Sequence, residues 1–435
     1  MNQPSDSPHA SDEPDARDEY DAHDEYEVLL RCVGRALHLN AKPRVNREPL
    51  AIESAGFSWP ALIGLAHRHE VIPLLNAALV DSDSVPAQVR CNLKSHCSTV
   101  LAHNLSLASE LIEVLDLFGR SGINAVPFKG PGWAKLLYGN LAYRQIRDLD
   151  IFVDRSEVSR TCQLLLQRGY IHAESSQAKP IDQCKDLELA HPETGIHLEL
   201  HWSACEPWHD RLVSRLKLWN PASATILLNR PIPLPAAEDI FFLLAIHGAR
   251  HRWESMKWLC DIGAMLQAFP ELDWGAILSR ASKLGRRRMV LLPLALVSRL
   301  FDMQLPSLMA NAIEQDTAVC RLADDIRQRH YVAAAADPGL QTKSVARLIY
   351  SERIRIRLRD SMLERFGLLA GFVFRQIQPN ANDRAGLPEG KLPGPFYWLL
   401  RPYRLIRLYG PAAIGKFARE LIGPAGAPRA GSAGK

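Results

Sequence analysis

The chain has 435 residues, 47% hydrophobic and 23% charged, with a net charge of +4. That length predicts two or three domains with ample material for a buried core, and the composition is that of an ordinary globular protein. Met1 is followed by polar and acidic residues, so no signal peptide is expected. No run of 18 apolar residues occurs, so no membrane-spanning helix is expected. Eight cysteines are scattered without a C-x-x-C pair or zinc spacing, and read as reduced thiols in a cytoplasmic protein.

In chain order, residues 1–25 read as a disordered acidic tail containing a single Arg. From Tyr26 to Arg120 the pattern is helical: "EYEVLLRCVGRALHL", then one or two helices in "SWPALIGLAHRHEVIPLLNAALV", then a long amphipathic run from Val85 to Phe118. Ser84 and Pro86 suit the cap and first turn of that run. The period then changes. "INAVPFKG" reads as a strand, "WAKLLYG" as a short helix and "DLDIFV" as a strand. "SEVSRTCQLLLQRGY" reads as a helix with Ser156 at its N-cap and Gly169 just past its end, and "GIHLELHW" as another strand. Such alternation argues for a small α/β unit. From Pro235 to about Arg375 the chain is helical again, and it finishes in a basic Pro/Gly-rich tail.

The stretch "RDLDIFVD" carries the first chemical signal. On a strand, residues two apart share a face, so Asp148 and Asp150 project together, with Phe152 covering that face further along. Two unpaired carboxylates side by side repel each other, and a divalent cation removes that cost. In "HLELHW", Leu198 and Leu200 take one face and His197, Glu199 and His201 the other. If this strand pairs beside the first, Glu199 comes within reach of Asp150, on a scale suited to shared metal ions. Upstream, Lys129-Gly130-Pro131-Gly132 joins a strand to a helix start. Glycine permits close backbone approach, the helix N-terminus attracts an anion, and Lys129 adds a cation for phosphate.

These residues resemble the nucleotidyltransferase (DNA polymerase β-like) superfamily, and more narrowly a bacterial family of uncharacterised nucleotidyltransferases. The likeness runs from about Ala61 to Gln267 and rests on the "KG" turn, the "D-x-D" strand and the "E-L-H-W" strand. It implies an α+β fold: a small nucleotidyltransferase-type mixed sheet with helices, flanked by N- and C-terminal helical regions. The implied divisions are an acidic tail (1–25), a helical region (26–120), a nucleotidyltransferase core (121–234), a helical domain (235–378) and a basic tail (379–435). It further implies that Asp148, Asp150 and Glu199 are catalytic metal ligands for Mg²⁺ or Mn²⁺. Lys129 and Gly130 form the nucleotide-binding turn, and Arg144 and Arg147, in "YGNLAYRQIRDLD", are phosphate candidates. The turn departs from the superfamily's usual Gly-Ser. The implied reaction transfers a nucleoside monophosphate from an NTP to a hydroxyl-bearing acceptor. A non-catalytic nucleotide-binding scaffold and a toxin-like transferase are the alternatives.

"HGARHRWESMKWLCD" places His247 and His251 at i, i+4 without the Glu of H-E-x-x-H. They either pack within the helical domain or line the nucleotide or acceptor pocket. Trp253, Trp258 and Asp261 nearby read as packing residues. The tail segments "RPYRLIRLYG" and "GKFAREL" either dock on the protein or rest on an anionic membrane surface, and they give no firm nucleic-acid signal.

Overall fold

The computed structural model describes residues 23–39, 57–173, 184–205, 221–332, 345–377 and 407. The acidic stretch through residue 22 and the basic tail from 379, Arg407 apart, lie outside the described residues, and with them the membrane-contact expectation. Helix α1 (His23–Leu39) begins inside the segment expected to be disordered. It is followed by α2 (Trp59–Arg68), α3 (Ile72–Leu79) and the 34-residue α4 (Ala87–Arg120). The Ser58 hydroxyl caps α2 by accepting from the Ala61 N–H at 3.3 Å. Helix α4 starts differently from expectation. Pro86 itself occupies the cap position in an extended conformation, and the Ser84 hydroxyl bonds Ser82 instead.

The core is a five-stranded mixed sheet: β1 (Ala125–Phe128), β2 (Leu149–Val153), β3 (Ile171–His172), β4 (Asp186–Ala190) and β5 (His197–His201), in the order β1-β2-β5-β4-β3. Only the β2–β5 pairing is parallel. Helices α5 (Gly130–Tyr138) and α6 (Val158–Gln167) lie between the early strands. Ser156 is not the cap of α6. The Asp154 carboxylate accepts from the Ser156 N–H at 2.9 Å and caps a short 3₁₀ turn that leads into the helix.

A separate hairpin, β6 (Ser223–Leu227) with β7 (Arg230–Leu234), leads into α7 (Ala237–Arg250) and α8 (Met256–Ala268). Helices α9 (Trp274–Lys283), α10 (Arg287–Phe301), α11 (Ser307–Glu314), α12 (Thr317–Ile326), α13 (Val345–Arg357) and α14 (Met362–Ile377) complete the described chain. The fold is α+β. No helix among the described residues is long and apolar enough to cross a membrane.

The period-2 pattern of β2 and β5 divides the sheet into two faces. Leu149, Ile151, Val153, Leu198 and Leu200 pack with α4 residues Leu107, Leu111, Val114 and Phe118 and with Val158 and Leu165 of α6. The opposite face carries Phe128 and Phe152 into a second, larger core built from α1, α3, α7, α8 and α10. That face also carries the polar residues, so the sheet presents its carboxylates toward the C-terminal helices rather than toward α4.

Candidate active site

Parallel register sets Asp150 of β2 directly beside Glu199 of β5, and Phe152 beside His201. Both pairs therefore face the same side. The His201 imidazole lies between the acids, its Nε2 2.7 Å from Asp150 Oδ1 and 3.0 Å from Glu199 Oε2, and its Nδ1 is 3.6 Å from Asp186 Oδ2. Phe128 and Phe152 pack against the same ring, with centroids 5.5 and 5.6 Å away, and fix its position. Asp150 is 4% exposed and His201 2%.

One ligand atom each from Asp150, Glu199 and His201 lies within 4.8 Å of the others, a grouping that can hold a divalent cation. From the sequence, His197 and His201 either orient Glu199 or touch substrate, or serve a structural role; the structure sets His201 between the acids. The signal was its strand phase, which matches that of Glu199. Asp148, immediately before β2, is half-buried and stands outside this tight group.

The charges show the strain of the arrangement. Burial raises the Asp148 carboxyl above its usual value, and the charges of Asp150 and Glu199 push it the same way. Burial would also raise Asp150, but Lys129 and the His201 hydrogen bond outweigh it and hold the carboxyl well below its usual range. Glu199 is likewise lowered, its burial outweighed by the bond from His201. Concentrated negative charge that leans on two lysines, Lys129 and Lys185, and one imidazole fits a cation site.

Lys129 reaches this group directly, with its ammonium 3.5 Å from Asp150 Oδ2 and 4.2 Å from the Phe128 ring centroid. Its backbone sits at φ +64°, a left-handed conformation rare for a side-chain-bearing residue, and Gly130 follows at φ +60°. The two positive angles turn the chain sharply from β1 into α5, so that the helix start and the Lys129 side chain stand beside the acids.

The two arginines part company. Arg144 is buried, and its Nε and Nη2 donate to the Asp261 carboxylate on α8 at 3.0 Å each, with Tyr138 donating to the same carboxylate at 2.9 Å. Its guanidinium thus ties the approach to β2 onto α8. The Asn104 amide donates to the carbonyls of Leu141 and Arg144 at 2.7 Å and holds the same loop from α4. Arg147 is 69% exposed and pairs at 3.1 Å with Glu70, which also accepts from Lys257 at 2.6 Å. Glu70 escaped the sequence reading because it lies in the short turn between α2 and α3, outside any periodic pattern.

The chain matches no curated protein. A family model described as "Uncharacterised nucleotidyltransferase" matches residues 55–302, more than half of the 435-residue chain, and takes in the acids, the Lys129 turn and the first four helices after the hairpin. The protein is accordingly a nucleotidyltransferase and belongs to the uncharacterised nucleotidyltransferase family.

Proposed function

We propose that the protein transfers a nucleoside monophosphate from an NTP to a hydroxyl-bearing acceptor and releases pyrophosphate. The observation that carries this reading is the parallel pairing of Asp150 with Glu199 on one face, with His201 within hydrogen-bond reach of both. Asp148, Asp150 and Glu199 would hold Mg²⁺ or Mn²⁺, with His201 positioning the last two. When bound, the cation neutralises phosphate charge and lowers the pKa of the acceptor hydroxyl. The acceptor oxygen attacks the α-phosphorus, and the bond from that phosphorus to the bridging α,β-oxygen breaks. The hydroxyl proton passes to Glu199. Lys129 and Arg147 offset the charge of the departing pyrophosphate, and the turn at Gly130 lets the backbone approach it.

Functionally, we divide the chain into a helical region (26–120), a transfer core (121–234) and a helical domain (235–378), and place the reaction in the cytoplasm. The test is pyrophosphate release from each NTP in the presence of Mg²⁺ or Mn²⁺ and a cell extract. Asp150→Asn should lower the rate by about 10³-fold or more while leaving the circular dichroism spectrum unchanged. Undiminished release from the purified variant would return the protein to the scaffold reading.

A further inference from the structure

Across from the acids, the wall is built by α7, α8 and the turn before α3. His247 stands in the last turn of α7 and His251 caps that helix. Their ring centroids are 4.6 Å apart. His251 lies flat on the Trp258 indole, with centroids 4.6 Å apart and planes 24° from parallel. His247 stands 6.2 Å from the Phe128 ring, the ring that the Lys129 ammonium overlies. On the far side, Lys257 and Arg147 share Glu70, and Arg147 directly precedes Asp148.

These contacts close a circuit. It leaves Asp150 through Lys129 and the Phe128 ring, crosses the imidazole pair and the Trp258 ring to Lys257, and returns through Glu70 to Arg147, the chain neighbour of Asp148. One arc of the circuit carries the Asp148 and Asp150 carboxylates, and the other carries imidazoles and cations, with the Glu70 carboxylate between two of those cations. Among the described residues, no hydrogen bond reaches the ring nitrogens of His247 or His251. Burial holds both rings neutral, and the neighbouring cations, Lys129 among them, act the same way. Lys257 has three N–H donors, and its bond to Glu70 leaves two.

We propose that His247, His251 and Lys257 form a polyphosphate subsite that takes the β- and γ-phosphates of the NTP, and then the pyrophosphate. This rests on the transferase reading of the acids. An α-phosphate at the acidic arc extends its remaining phosphates away from the carboxylates, and the Lys129 side leads onto the imidazole pair. The two imidazoles and the ammonium then complement the terminal oxygens. The Glu70 carboxylate, bridging two cations on the same rim, shows that this wall already binds an anionic group.

The test is calorimetric titration of inorganic pyrophosphate into the full chain in EDTA, compared with His251→Gln and Lys257→Met. Each variant should bind about 10-fold more weakly or worse, with Mn²⁺ affinity unchanged. A second readout guards against misfolding. Pyrophosphate should change the wild-type tryptophan fluorescence, and the change should vanish in Trp258→Phe. No binding to the wild type, or equal affinity in all three proteins, overturns the subsite. So does a fluorescence change that survives in Trp258→Phe. The two readings fail separately. Turnover that still depends on Asp150, with pyrophosphate affinity indifferent to these substitutions, removes the subsite alone. Pyrophosphate binding through these residues, with turnover indifferent to Asp150, removes the catalytic assignment alone.

Discussion

Lys129 carries two burdens. Its φ of +64° costs about 1–2 kcal/mol relative to a relaxed conformation, a cost that glycine would avoid. The side chain offers the compensation, because its ammonium is the nearest fixed cation to Asp150. Lys129→Met keeps the stem against Phe128 and removes the charge. Turnover should fall by about 10²-fold or more, because phosphate charge loses a partner in a half-buried site. A steady-state assay that finds kcat/KM within twofold of wild type would remove Lys129 from the site. The shared face of Asp150 and Glu199 was legible in the sequence because a strand has an exact period of two. The engagement of Arg144 was not. Its partner, Asp261, lies 117 residues away, and no local pattern links them.

At the scale of elements, that Arg144–Asp261 pair joins the loop before β2 to α8. Both partners are nearly excluded from solvent, at 9% and 1% of side-chain exposure. Breaking such a pair leaves one charge buried without its counter-charge. Asp261→Ala should cost about 3–5 kcal/mol in urea unfolding, whereas replacing both partners with Arg144→Met and Asp261→Leu should recover much of that loss. If the single variant unfolds at the wild-type midpoint, the tie is not structural.

Most elements were readable from period and punctuation: α4 from its long amphipathic run, and β1, β2 and β5 from their alternation. The β6–β7 hairpin was not. Pro231 and Pro233 argue against a strand, since proline cannot donate to a ladder, yet a two-stranded ribbon leaves room for them. Its turn uses Leu228 and Asn229, both at positive φ, instead of the Asn-Gly that announces such hairpins. Strand β4 was missed as well; its place between β5 and β3 is set by pairing with segments distant in sequence.

For the whole molecule, one core lies behind the sheet, and a larger one joins the N-terminal helices to α7, α8 and α10. His69 sits in the larger core, 2% exposed. Its Nδ1 accepts from the Met256 N–H at 3.2 Å, and its Nε2 meets the Tyr26 hydroxyl. Burial lowers its pKa from 6.5 to about 3. The unfolded chain therefore binds a proton between those values that the folded protein refuses. Stability is complete above about pH 6.5 and declines as the pH falls toward 3, by about 1.4 kcal/mol per unit from this residue. Thermal unfolding followed from pH 7 to 5 should show this decline, with a shallower slope in His69→Gln; equal slopes would assign the effect elsewhere.

The candidate cation site lies where the sheet faces this larger core, and metal titration tests it without any knowledge of the acceptor. Mn²⁺ binding followed by electron paramagnetic resonance should be saturable in the wild-type protein. It should weaken by about 10-fold or more in Glu199→Gln, with folding preserved. Unchanged Mn²⁺ affinity in that variant would contradict the joint role of Asp150 and Glu199.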